Sequence, residues 1–266
     1  MSERPAGARE ASRPPRRPPV ALLAMEAPRA TAELAWFATF RPILERAPRG
    51  DGHPVLVLPG LGGDDRSTVP MRGYLRRLGY AAHGWGLGTN AISRRLVMAL
   101  GDRFTELYER HDRQPISLVG WSLGGIYARE IARYRPAVVR QVITLASPFR
   151  DTPGEESHPS AWIRAMYPNL PRRTLNQGAL AVPSTAIFSR TDGIVPWRAS
   201  RDVPSARAES IEVIGSHAGL GHHPGVLWAV ADRLAQPLGE WKPFRPPAAL
   251  AALYPRRRTR RRTPSA

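Results

Sequence analysis

Pro115-Ile116-Ser117-Leu118-Val119-Gly120-Trp121-Ser122-Leu123-Gly124-Gly125-Ile126-Tyr127-Ala128 decides the reading of this chain. A short apolar run passes straight into Gly-x-Ser-x-Gly, and an apolar helical pattern follows. Strand, serine, helix is the order that a nucleophile on a sharp turn requires. Such a turn brings neighbouring backbone very close, and Gly120 and Gly124 lack the Cβ atoms that would obstruct it. The turn also aims the N–H groups and positive dipole end of the following helix at Ser122, where charge would develop during attack on a carbonyl. Three fixed small residues in five are a weak signal alone, since an ordinary Gly-rich turn gives the same pattern. The rest of the chain has to decide.

Upstream, Val55-Leu56-Val57-Leu58-Pro59-Gly60-Leu61-Gly62-Gly63 is a second strand-like run ending in a Gly-rich loop. In a hydrolase built this way that loop supplies one oxyanion-binding N–H and the residue after the serine supplies the other. Leu61 and Leu123 are therefore the expected backbone donors. The alternative, a phosphate-cradling loop, lacks both Gly-x-x-x-x-Gly-Lys-[Ser/Thr] and Gly-x-Gly-x-x-Gly. Downstream come an acid and then a base. Ser184–Ser189 reads as a strand leading into Arg190-Thr191-Asp192-Gly193, which puts Asp192 at a strand end. Ser210–Ile214 reads as the last strand, followed by Gly215-Ser216-His217. His217 is the expected base: a neutral imidazole takes the hydroxyl proton while a carboxylate fixes its tautomer.

Seven histidines compete for that role. His222 and His223 precede Pro224 and read as polar residues capping the next helix, while His53 and His83 fall near strand edges as structural residues. With no cysteine and no His-Glu-x-x-His spacing, a zinc site has poor support, and neither a metal nor another cofactor is expected.

Taken together, the 58–63, 120–125, 189–196 and 215–217 segments resemble the α/β-hydrolase superfamily, on its bacterial lipase and esterase side. The resemblance covers most of residues 50 to 245. It implies an α/β fold with a mainly parallel, doubly wound sheet flanked by helices, and triad roles for Ser122, Asp192 and His217. It also implies hydrolysis of a small-molecule ester or acyl substrate through an acyl-enzyme. Two other chemistries on the same residues stay open: acyl transfer to an alcohol or amine, and a cofactor-free lyase or haloperoxidase-like reaction. A third reading makes the triad vestigial and the chain a nucleic-acid- or membrane-surface-binding module. One departure from the lipase pattern is the short candidate cap, about residues 148–183, where true lipases carry a longer apolar lid.

Strand-like runs at 55–58, 80–83, 116–119, 139–145, 184–189 and 210–214 alternate with helical patterns at 68–78, 92–110, 123–134 and 225–235, as a mainly parallel sheet requires. Residues 30–46 read as a further amphipathic helix, whose aromatic face packs on the domain or docks on a membrane or partner. The chain of 266 residues is long enough for one sizeable core. Residues 1–27, rich in Pro and Arg, are expected to be a disordered tail, residues 28–245 the hydrolase domain with its cap at 148–183, and residues 246–266 a basic disordered tail. Met25 is a candidate second translation start.

The net charge of +17 suggests nucleic acid until it is divided along the chain. The first 24 residues contribute +3 and the six arginines between 256 and 262 another +6. Lys242 is the only lysine, which points to a codon bias towards Arg as much as to a charged partner. Nucleic acid is not expected as a specific partner; the tail reads as solvated, with non-specific contact to RNA, DNA or anionic lipid as the alternative. No apolar run reaches 18 residues, so no spanning helix is expected, and cytoplasmic residence is the default.

Overall fold

The computed structural model describes residues 16–150, 152, 154–160 and 178–255. Six strands form one sheet: β1 (Pro54–Leu58), β2 (Ala81–Gly84), β3 (Ile116–Trp121), β4 (Val139–Leu145), β5 (Ser184–Phe188) and β6 (Ala208–Glu212). Their order is β2-β1-β3-β4-β5-β6, and every pairing is parallel rather than mainly so. Between them run α4 (Val69–Arg77), α5 (Arg94–Arg110) and α6 (Leu123–Tyr134), with α7 (Pro224–Leu234) after β6.

A parallel sheet is covered on both faces, so its strands read as continuous apolar runs, and alternate side chains feed opposite cores. Val55, Val57, Val119, Ile143 and Leu145 pack in one core with Met71, Tyr74 and Leu75 of α4 and Val226, Leu227 and Val230 of α7. Leu56, Leu58, Leu118 and Val142 pack in the other with Leu100, Phe104 and Leu107 of α5 and Tyr127, Ala128 and Ala132 of α6. The chain leaves β1 towards β2 on one side and resumes at β3 on the other. That reversal makes the carboxyl ends of β1 and β3 the switch point where open α/β sheets form their crevice.

Two expected boundaries need correction. The N-terminal tail was expected to extend through residue 27, but Val20–Ala24 forms helix α1 and Glu26–Thr39 forms helix α2, with Glu26 only 5% exposed. Local composition misleads there because the order comes from distant backbone donors, described below. Helix α3 (Arg41–Leu44) follows, and Phe37, Phe40 and Ile43 pack against the first core, while Trp36 stays exposed. The C-terminal tail was expected from residue 246, yet Ala248–Leu253 is a 3-10 helix that buries Leu250, and the buried Tyr254 donates its hydroxyl to the Gly225 carbonyl at 2.7 Å. Most of the expected cap (151, 153 and 161–177) and the arginines of 256–262 lie outside the described residues. Among the described residues no helix is long and apolar enough to cross a membrane.

Candidate active site

All four loops that carry candidate residues leave the carboxyl edge of the sheet. Ser122 sits between the last residue of β3 and the first of α6 with φ 52° and ψ −119°. A non-glycine residue at positive φ costs of order 1–3 kcal/mol and persists only where its surroundings over-determine it. Here the Ser122 N–H donates to the Leu145 carbonyl at 2.8 Å, and its own carbonyl accepts from Gly125 at 3.0 Å. The glycines make this turn sterically feasible: a Cβ on Gly120 would lie 2.4 Å from the Gly124 oxygen, and one on Gly124 would lie 2.5 Å from the Leu58 oxygen. Strand β3, the start of α6 and the end of β1 therefore meet with no room for side chains.

Asp192 and His217 come together across the ends of β5 and β6. The imidazole Nδ1–H donates to Asp192 Oδ2 at 2.7 Å, and both groups are buried. Asp192 Oδ1 accepts two more bonds, from the N–H groups of Ile194 and Val195, each 2.7 Å. With its carboxylate so held, one imidazole tautomer is fixed and Nε2 is left as the acceptor. Burial disfavours the imidazolium, but the charge and hydrogen bond of Asp192, with Glu26 adding to them, outweigh that effect and raise the His217 pKa above 6.5.

Ser122 is tied to this pair through its neighbour. The Trp121 indole N–H donates to the His217 carbonyl at 3.1 Å, which fastens the histidine loop beside the serine turn. Among the described residues neither the Ser122 hydroxyl nor His217 Nε2 has a hydrogen-bond partner. Catalytic hydrogen bonds are often long in a free enzyme and tighten when substrate binds.

The two expected oxyanion donors lie on adjoining segments: a Cβ on Gly60, the residue before Leu61, would lie 3.2 Å from Ser122 Cβ. Leu123 is the first residue of α6, so its N–H has no acceptor within the helix. Leu61 lies on the loop after β1, where its N–H is bonded to no described residue while both following residues are engaged. Gly62 donates to the Asn90 carbonyl at 2.8 Å and Gly63 to the Gly60 carbonyl at 3.1 Å. Asn90, fully buried on the loop after β2, also donates Nδ2 to the Pro59 carbonyl and its N–H to the Gly63 carbonyl. Sequence reasoning assigned Asn90 no role, although it ends the Gly-rich Gly84–Asn90 run.

Sequence reasoning also passed over Glu26 and Glu33, both buried against the acid and base loops. His53 and His83 lie beside β1 and in β2 as expected, whereas His222 departs from the capping expectation, its Nε2 lying 2.9 Å from the Ala30 carbonyl of α2. His223 caps α7, its Nδ1 facing the Val226 N–H and its Nε2 bonded to the Ile214 carbonyl. His53 belongs to a second Asp-His-Ser array: Nδ1 contacts Asp51 and Nε2 lies 2.9 Å from Ser117 Oγ. Ser117, however, is wholly buried in β3, with no approach for a substrate. Among the described residues no three His, Asp or Glu side chains cluster as a metal site; His83 and His111 make a pair only.

No protein-family profile and no curated protein matches the chain in sequence. Solved structures do resemble it. A monoacylglycerol lipase of Paleococcus ferrophilus superposes with TM-score 0.52 at 14% identity, over 70% of this chain and 96% of the lipase. The pyrethroid hydrolase PytH gives 0.50 at 15%, over 68% and 96%. BpoC of Mycobacterium tuberculosis H37Rv, which carries a provisional non-heme bromoperoxidase assignment, gives 0.50 at 18%, over 68% and 91%. At such identities the likeness speaks to the fold alone.

Proposed function

That this chain has the α/β-hydrolase fold is the premise from which we propose that it is a serine hydrolase of small carboxylic esters, with Ser122 as nucleophile, His217 as base and Asp192 as its orienting acid. The observation that supports this most directly is the coincidence of two features at one edge of the sheet. A serine is held at φ 52° on a strand-to-helix turn, and a buried histidine with its Nδ1 on a carboxylate is fastened to the residue beside it.

Each group has one task. Ser122 Oγ attacks the ester carbonyl carbon as its proton passes to His217 Nε2, and the carbonyl oxygen takes the negative charge. The N–H groups of Leu61 and Leu123 receive that oxyanion; losing one such donor costs ~10² to 10³ in turnover. The tetrahedral intermediate then breaks its carbon–alkoxy bond as Nε2–H protonates the departing alkoxide, which leaves as an alcohol, while the acyl group stays on Ser122 Oγ as the acyl-enzyme. Water attacks the acyl carbon as it gives its proton to Nε2, and that proton returns to Ser122 Oγ as the acid departs. Asp192 keeps its charge throughout and stabilises the imidazolium. The chain's own groups perform every step.

The test uses a fluorophosphonate probe and p-nitrophenyl esters of graded acyl length on the wild type, Ser122→Ala and His217→Ala. Labelling and hydrolysis should be confined to the wild type, and equal labelling of all three proteins would refute an activated serine. Measuring the partition of acyl groups between water and an added alcohol separates hydrolase from acyltransferase.

A further inference from the structure

Helix α2 is joined to both loops of the Asp192–His217 pair. Glu26 and Glu33 lie seven residues apart, two helical turns, and so share one face of the helix. Glu26 Oε1 accepts the Gly193 N–H at 2.7 Å, and Oε2 accepts the Ala218 N–H at 2.8 Å. One carboxylate therefore spans the residue after the acid and the residue after the base. The preceding residues are held from the same helix. Arg29 donates Nη1 to the Thr191 carbonyl at 2.6 Å and Nη2 to Thr191 Oγ1 at 2.8 Å, while Glu33 accepts from the Ser216 N–H at 2.7 Å and its hydroxyl at 2.6 Å. Asp192 and His217 are thus bracketed on both sides by α2.

Two glycines bring these loops flush with the N-terminal helices. A Cβ on Gly193 would lie 2.5 Å from the backbone of Leu22, and one on Gly219 would lie 1.5 Å from Glu33 Oε2. Nothing in the sheet requires this close seating, because the β5–β6 ladder ends before either loop begins. Bonds from backbone N–H groups to a carboxylate are charge-assisted and about twice as strong as neutral ones.

We propose that Glu26 is a positioning residue for the Asp192–His217 pair: its carboxylate fixes the separation of the two loops and holds a negative charge beside the imidazole. The proposal rests on the hydrolase reading above for its effect on rate. Its effect on the imidazole stands without that reading. The charged groups acting on His217 are Asp192 from the loop after β5 and Glu26 from α2; Arg29 and Glu33 of the same helix are engaged by Thr191 and Ser216. On its own loop, His222 is bonded to the Ala30 carbonyl and His223 to that of Ile214.

The full chain is compared with Glu26→Gln and Glu26→Asp by thermal melting, NMR titration of the His217 ring, and p-nitrophenyl acetate hydrolysis. Removing the negative charge destabilises the imidazolium, so in Glu26→Gln the ring's midpoint should fall by ~0.5 pH unit or more. The loops lose their shared anchor, so kcat should fall roughly 10- to 100-fold with little change in KM. Glu26→Asp keeps the charge but is too short to reach both N–H groups; its midpoint should stay near that of the wild type while kcat drops. A folded Glu26→Gln with unchanged midpoint and unchanged kcat overturns the proposal. Should Glu26→Gln fail to fold, an unchanged kcat in Glu26→Asp does the same. If the wild type neither hydrolyses esters nor labels, the hydrolase reading fails, and the NMR midpoint alone decides on Glu26.

Discussion

Replacing Gly120 with alanine offers the sharpest test of how tightly the serine turn is built. The new methyl carbon would lie 2.4 Å from the Gly124 oxygen, 2.4 Å from the Gly125 Cα and 2.5 Å from the Gly125 nitrogen. Carbon contacts are comfortable at about 3.5 Å, so the overlap is roughly 1 Å, and every obstructing atom is backbone. Strand β3 cannot give way, since Gly120 is paired with Leu58 on one side and Thr144 on the other. The first turn of α6 must recede, carrying the Leu123 N–H and straining the Ser122–Leu145 hydrogen bond. Overpacking of this kind costs about 1–3 kcal/mol. At about 2–4 °C per kcal/mol for a chain of this size, the melting temperature should fall by roughly 2–12 °C. Because a displacement near 1 Å costs ~10²-fold in rate, fluorophosphonate labelling should slow by about that factor. Gly101→Ala is the control: Gly101 lies within α5, and a Cβ there meets nothing within 4 Å. That change should raise stability by ~0.5–1 kcal/mol. A Gly120→Ala protein that melts and labels like the wild type would refute the steric argument, as would equal damage from both substitutions.

Further outcomes follow from the charged groups. With the His217 pKa raised, the acid limb of a kcat/KM profile should have its midpoint above pH 6.5, activity falling as pH drops through it; Asp192→Asn should move that limb down and cost about 10⁴-fold in kcat. Arg129 and Asp202, both buried, pair at 2.7 Å, and Ser184 adds a second bond to the same oxygen. Arg129→Met leaves that carboxylate without its cation, which should cost about 3–5 kcal/mol in a denaturant titration. Adding Asp202→Asn should recover part of the loss, and additive losses in the double variant would show that the charge pair is not the cause.

Much of this was legible because the informative elements are locally self-contained. The six expected strands match the observed ones to within a residue or two, since buried parallel strands are short apolar runs closed by Gly, Pro or polar residues. The elbow was legible for the same reason: Ile116–Val119, Ser122 and the α6 pattern are contiguous. Asp192 and His217 are far apart in sequence, but their places after consecutive strand-like runs gave them away, and the structure puts them 2.7 Å apart. What stayed hidden was long-range. Glu26 interrupts an apolar stretch, and Glu33 reads as the solvated face of an amphipathic helix. Their partners lie 167 to 192 residues away and, the Ser216 hydroxyl aside, are backbone N–H groups, which leave no mark in side-chain pattern. Tyr254 is similar: its Pro- and Ala-rich surroundings read as a tail, while its hydroxyl has a buried carbonyl waiting on α7.

Strand β3 carries a lesson for anyone searching folds for catalytic geometry. Two serines stand at its ends, five residues or roughly 16 Å apart, each associated with a histidine and an aspartate. A search that ranks triples by hydroxyl-to-imidazole distance would choose Ser117, whose contact to His53 is already made, over Ser122, whose contact is not. On the reading proposed above, reactivity instead tracks what such a template omits: a vacant imidazole nitrogen, free amide hydrogens nearby and a route in from solvent. The tidier array, with both ring nitrogens already engaged, has nothing left to offer a substrate.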